Sequence, residues 1–135
     1  MQYLLYDGRF SNSATTNSRL AVSVLVDKEH VQIRLAEYGS QIVKNAGSKA
    51  INYTIEVQCD NGQVVKLKGF IGSGKDSVYL WPDDLDGTDY GLKFINLLKS
   101  NDNLSIYMYP SDRKIQNYNF KIETYGFKDA YNKLK

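Results

Sequence analysis

The chain is poor in the residues that most often carry chemistry. It has one cysteine, one histidine, two prolines and one tryptophan in 135 residues. A single cysteine, Cys59, excludes an intramolecular disulfide and a cysteine-built zinc site. Cys59 ends an alternating run and is expected to act as a small buried hydrophobe, because a reactive thiol needs an activating base beside it. The lone histidine, His30, closes the polar run Asp27-Lys28-Glu29-His30 between two apolar stretches, which suits a hairpin tip. Long hydrophobic runs are missing too, so no segment reads as a membrane-spanning helix or a signal peptide. The sequence is compatible with a cytoplasmic protein, and equally with a periplasmic or secreted one whose signal has been removed. Charge of one sign is also lacking. The net charge of +2 is too small to imply nucleic acid or an anionic membrane.

What is abundant is tyrosine, with 11 residues against 5 phenylalanines. At strand positions tyrosine packs its ring and keeps its hydroxyl wet. Period-two alternation runs through most of the chain. Tyr3–Tyr6 reads as a short strand, and 7–19, rich in Ser, Asn, Thr and Gly, as a loop. The next hairpin joins 20–26 to 31–35. Residues 38–50 read as loop around a brief Ile42-Val43. Strands 51–59 and 64–71 flank Asn61-Gly62, a pair that favours hairpin turns because both residues tolerate positive φ. Further strands are expected at 77–81, 104–109 and 118–123. Two helices interrupt them. One is expected over 88–99, with Thr88 as N-cap, and the other over 126–134, where Phe127, Ala130, Tyr131 and Leu134 share one face.

Together these elements predict one domain over 1–135. It is mainly β (α+β), an antiparallel β-sandwich-like fold with the two helices closing an open end or face. Its expected inward residues are Val22, Val24, Ile33, Ile55, Val57, Leu67, Phe94, Ile95, Leu98, Ile106, Phe120, Ile122, Phe127 and Tyr131.

Four constellations invite a chemical reading. Gly69 to Lys75 nearly spells a phosphate-binding loop, but Asp76 stands where that loop needs a hydroxyl for magnesium, and a strand follows instead of a helix. Asp83, Asp84, Asp86 and Asp89 cluster around Gly87 as calcium ligands would. Their spacing fails the EF-hand pattern, so they read as solvated caps of the next helix. Glu56 and Glu123 would have to meet in space for carboxylate catalysis, and both fall on solvent-side strand positions. Lys66 and Lys68, with Tyr107 and Tyr109, make a basic-aromatic set able to stack and hold a ligand. These four are the candidate binding residues. No catalytic residue, metal or cofactor is expected.

The layout of Asn17-Ser18, the 51–71 hairpin, the acidic turn, Phe94-Ile95 in a helix and Gly126-Phe127-x-x-Ala130-Tyr131 resembles a known group. It is similar to the small β-sandwich domains of the invasion-associated locus B type and the related type VI secretion accessory proteins. The chain departs from that pattern in lacking the group's tryptophan near the start and its cysteine pair. The resemblance implies an exported, non-enzymatic protein of the bacterial envelope or secretion apparatus. The expected function is therefore a non-catalytic binding or accessory module with a protein partner. One alternative is an intracellular phage or immunity-type protein that inhibits or sequesters a partner or small ligand. Another is a binder of single-stranded nucleic acid or a nucleotide.

Overall fold

A computed structural model describes residues 1–134, and Lys135 of the expected domain lies outside the described residues. Among the described residues nine strands and two helices follow one another. They are β1 (Gln2–Ser11), β2 (Ser18–Val26), β3 (Val31–Glu37), β4 (Gln41–Ile42), β5 (Ile51–Gln58), β6 (Val64–Ile71) and β7 (Val78–Leu80). Helix α1 (Tyr90–Ser100), β8 (Asn103–Pro110), β9 (Asn117–Glu123) and α2 (Phe127–Asn132) complete the chain.

The strands form one antiparallel sheet in the order β2-β1-β9-β8-β5-β6-β7-β3-β4. β2 and β3 lie far apart in that order yet pair along seven residues, from Leu20↔Glu37 to Val26↔Val31. The sheet therefore closes on itself as an eight-stranded barrel, with β4 as a short flap on β3. This corrects the expected sandwich. Alternation of apolar and polar residues is common to both architectures, and only the pairing of distant strands separates them. Two ladders around the barrel are thin: β3 meets β7 through two residue pairs and β1 meets β9 through three.

Apolar side chains fill the interior, including Phe10, Leu20, Ile33, Ile55, Leu67, Ile106 and Ile122, and every expected inward residue is buried. Polar side chains largely occupy the outside, the reverse of barrels that span membranes. Among the described residues no helix is long and apolar enough to cross a membrane.

Both helices close one end of the barrel. α1 starts one residue later than the sequence suggests. Asp89, not Thr88, is its cap and accepts a hydrogen bond from the Leu92 amide at 3.0 Å, while Thr88 turns both its amide and its side chain to Asp86. Phe94, Ile95 and Leu98 face inward, and α1 packs on β3, β6, β7 and α2. At its far end Asn101 accepts from the Asp60 amide in the β5–β6 turn. α2 is shorter than expected and opens at Gly126, whose φ of 77° lies in the left-handed region where glycine carries no steric cost. The Tyr131 hydroxyl donates to the Lys28 carbonyl in the β2–β3 turn. Cys59 follows β5 at this same end and is only partly buried, because the strand ends at Gln58 before its side chain is enclosed.

The other end is plugged by side chains. Tyr118 donates to Glu37 at 2.9 Å and accepts from Gln116 at 2.7 Å. Phe10 stacks on Tyr118 and meets Tyr38 edge-on. Burial, and then the Glu37 charge, push the nearby Tyr53 hydroxyl up to about 12. Burial moves Tyr118 upward as well.

These shifts have a sign. From about pH 10 the unfolded chain loses tyrosyl protons that the native state keeps, so the unfolded state binds fewer protons and stability falls as pH rises. The stability that Tyr53 contributes is intact below pH 10 and disappears as the pH passes about 12. Urea midpoints should hold up to the normal tyrosine range and drop above it, with tyrosinate absorbance from these two rings in the native state delayed beyond that range. A native fold with all 11 tyrosines ionising near 10 would contradict the burial argument.

Candidate functional site on the outer wall

The outer faces of five adjacent strands carry one transverse row of side chains. Lys66 stands opposite Glu56, Glu56 opposite Tyr107, Tyr107 opposite Asn119, and Asn119 opposite Arg9. Two residues along the strands, Lys68, Thr54 and Tyr109 form a parallel row. The structure thus brings the four expected binding residues onto one wall, because their strands are neighbours and their positions share a phase. It does not make them one site.

Lys68 is taken by Asp84 at 3.0 Å, and that hydrogen bond raises the ammonium's affinity for its proton. The Tyr109 hydroxyl donates to Glu56 at 2.8 Å. Burial and then that carboxylate make it harder to ionise. Lys114 lies 5.9 Å from the Tyr107 ring centre and 5.5 Å from that of Tyr109, within cation–π range.

Two grooves mark the wall. The first, of about 800 Å³, is lined by β1 from Leu4 to Arg9, by Asn119, Phe120, Lys121 and Glu123 of β9, and by Ser105, Ile106 and Tyr107 of β8. Glu56, Gln58 and Val64 complete it. Leu4, Tyr6 and Val64 are exposed apolar side chains in this lining. Arg9, Lys121 and Glu123 have no ion-pair partner among the described residues. The second groove, of about 540 Å³, runs between β5, β6 and the 81–85 segment, with Lys68, Trp81, Asp83, Asp84 and the exposed Leu85. Beside it the Phe70 ring stacks on Trp81 at 4.0 Å. Of the expected binding residues, Tyr107 lines the first groove and Lys68 the second. Lys66 and Tyr109 line neither.

The β1 side of the first groove carries a defect in its strand. Its inward residues are Tyr3 and Leu5, then Gly8 and Phe10, a slip of one position. The register with β2 confirms a bulge, since Leu5↔Val22 is followed by Gly8↔Leu20. This corrects the expected 7–19 loop, because Asp7–Ser11 continue the strand. The slip broke the alternation that marks a strand, so Arg9 and the β1 side of the groove were missed.

The other constellations resolve without a shared centre. Glu56 and Glu123 line the same groove on strands separated by β8. Asp84 holds Lys68, Asp86 receives Thr88 and Tyr90, and Asp89 caps α1. No cluster of three metal-donor side chains occurs among the described residues. Gly72 to Lys75 form the turn into β7, where the phosphate loop would need a helix. No protein-family model matches this chain, and no curated protein or solved structure matches it, so a functional reading must come from the barrel and its wall.

Proposed function

We propose that this protein is a non-catalytic binding module that engages a protein partner through the groove over β1, β9, β8 and β5. The groove itself carries the reading: it combines exposed Leu4, Tyr6 and Val64 with the unpaired charges of Arg9, Lys121 and Glu123 on a rigid strand scaffold. Apolar contact area with charges of both signs suits a polypeptide. It suits a polyanion less well, since Glu56 sits between Lys66 and Tyr107 and Lys68 is already neutralised by Asp84. The resemblance to envelope and secretion accessory domains favours a partner in those compartments. Partner sequestration inside the cell would use the same groove.

A photo-crosslinking amino acid placed at Tyr6, in the groove, and at the fully exposed Tyr125, outside it, tests this in the source cells. The expected result is a discrete protein adduct from position 6 and none from position 125. Equal labelling from both, or adducts only with nucleic acid, would sink the reading. The compartment of the trapped protein separates the envelope role from the sequestering one.

A further inference from the structure

We propose that the occupant of the groove is an extended peptide segment that adds as a short strand to the free edge of β9. This rests on the outer-wall groove being the binding site.

The ladder between β1 and β9 covers only Arg9↔Asn119, Phe10↔Tyr118 and Ser11↔Asn117. β9 nevertheless continues to Glu123, held on its other side by β8 through Asn103↔Glu123. In a strand the N–H and C=O of one residue point the same way and those of the next point the other way. Two of the four residues Phe120–Glu123 therefore direct both backbone groups towards the seam, where no strand meets them. β1 does not close the gap because its bulge falls beside it. At Gly8 the chain is wedged so tightly that an added Cβ would lie 2.9 Å from the Leu20 carbonyl oxygen and 3.1 Å from that of Asn119. A bulge bends its strand and increases the local twist, and the pairing of β1 with β9 stops at Arg9, directly beside this bulge. An open edge is a template for one kind of ligand, another extended backbone.

The charges set the direction and composition of that backbone. Moving along β9 from the three-pair ladder, the outward residues are Lys121 and then Glu123, with Arg9 at the level of Asn119. A segment antiparallel to β9 begins beside Glu123 and leaves past Lys121 and Arg9. It therefore carries a basic residue first, an acidic residue two positions later and a second acidic residue two beyond that. The intervening residues face Leu5, Ile106 and Phe120 at the bottom of the groove and are apolar. A lysine and a bulge can simply protect an edge from self-pairing. Here they lie beside exposed Leu4 and Tyr6, which such protection leaves unexplained.

Amide hydrogen exchange with two peptides decides the matter. The probe has lysine first, valine second, glutamate third, valine fourth and glutamate fifth, flanked by glycine and serine. Its control exchanges the lysine and glutamates. In the free protein two of the Phe120–Glu123 amides should exchange at loop-like rates, and the probe should protect them. The control should bind about tenfold more weakly, from the swing between attractive and like-charge cross-strand pairs. The double variant K121E/E123K should reverse that preference, and N-methylation of alternate probe amides should abolish binding. Uniform protection of Phe120–Glu123 in the free protein would overturn the proposal. So would failure of the probe to bind at millimolar concentration, or binding indifferent to N-methylation. A partner cross-linked at Tyr6 that leaves the β9 amides unprotected would remove strand addition while the groove reading survives. Absence of any adduct removes both.

Discussion

Replacing Phe127 by aspartate is expected to abolish cooperative folding at room temperature or leave it marginal. The ring is 1% exposed and lies between Tyr3, at 6.3 Å, and Tyr131, at 5.6 Å, where α2 seals the barrel. Truncating such a phenylalanine costs about 3–5 kcal/mol. Placing a carboxyl group in the same apolar site adds about 1–3 kcal/mol even if it stays protonated. The sum is comparable with the whole stability of a domain this size, roughly 5–15 kcal/mol. Urea denaturation should show a midpoint lowered by more than half, or no transition. F127L keeps most of the volume and should cost less than about 1.5 kcal/mol. An aspartate variant with a near-normal midpoint would mean that α2 is not part of the closure.

The second large effect is at Gly91, in the first turn of α1. Helix propensity alone ranks alanine above valine and valine above glycine, and predicts a gain of about 1 kcal/mol for alanine. The packing predicts the opposite order. A Cβ at this position would stand 2.7 Å from the Glu29 carbonyl oxygen in the β2–β3 turn, a contact with backbone that no rotamer relieves. Overpacking of this kind costs about 1–3 kcal/mol, enough to override the propensity gain. Stability should therefore fall from glycine to alanine to valine, with valine losing about 3 kcal/mol as the helix is lifted off the turn. Thermal melts of the three proteins provide the ordering. An alanine variant more stable than the parent would show that α1 does not rest on the turn.

The elements with strong periodicity were legible before any coordinates. β5, β6, β8 and β9 alternate cleanly, and the stripe of Phe94, Ile95 and Leu98 marks the buried side of α1. The inward residues followed from the same patterns, because burial of apolar side chains is what the patterns encode. Closure was not legible. It depends on β3 meeting β7 and β1 meeting β9, contacts between residues tens of positions apart and made through very few pairs. With those two ladders removed, the barrel is two plates facing one another, β1-β2-β3 and β7-β6-β5-β8-β9. A sandwich was the natural reading of that sequence.

The candidate site was half legible. Tyr107 followed from the phase of β8, and Lys68 from that of β6, but their partners depended on neighbours supplied by the fold. Arg9 and the rest of the β1 side lay beyond the bulge, where the period slips and a strand looks like a loop.

The two thin ladders also bear on how the chain is made. During synthesis β1, β2 and β3 emerge first and can pair as a local meander, since β2 joins both its neighbours through seven residue pairs each. That meander has one apolar face and no covering plate until β5 to β9 follow, and α2, which seals the end, comes last. The nascent chain thus carries Leu20, Val22, Val24, Ile33 and Leu35 uncovered until the second plate has been made. Non-local closure of this kind is slow. The N-terminal plate is therefore the segment on which a chaperone should act during synthesis, and the two thin ladders are the seams at which the finished barrel should part first when it is strained.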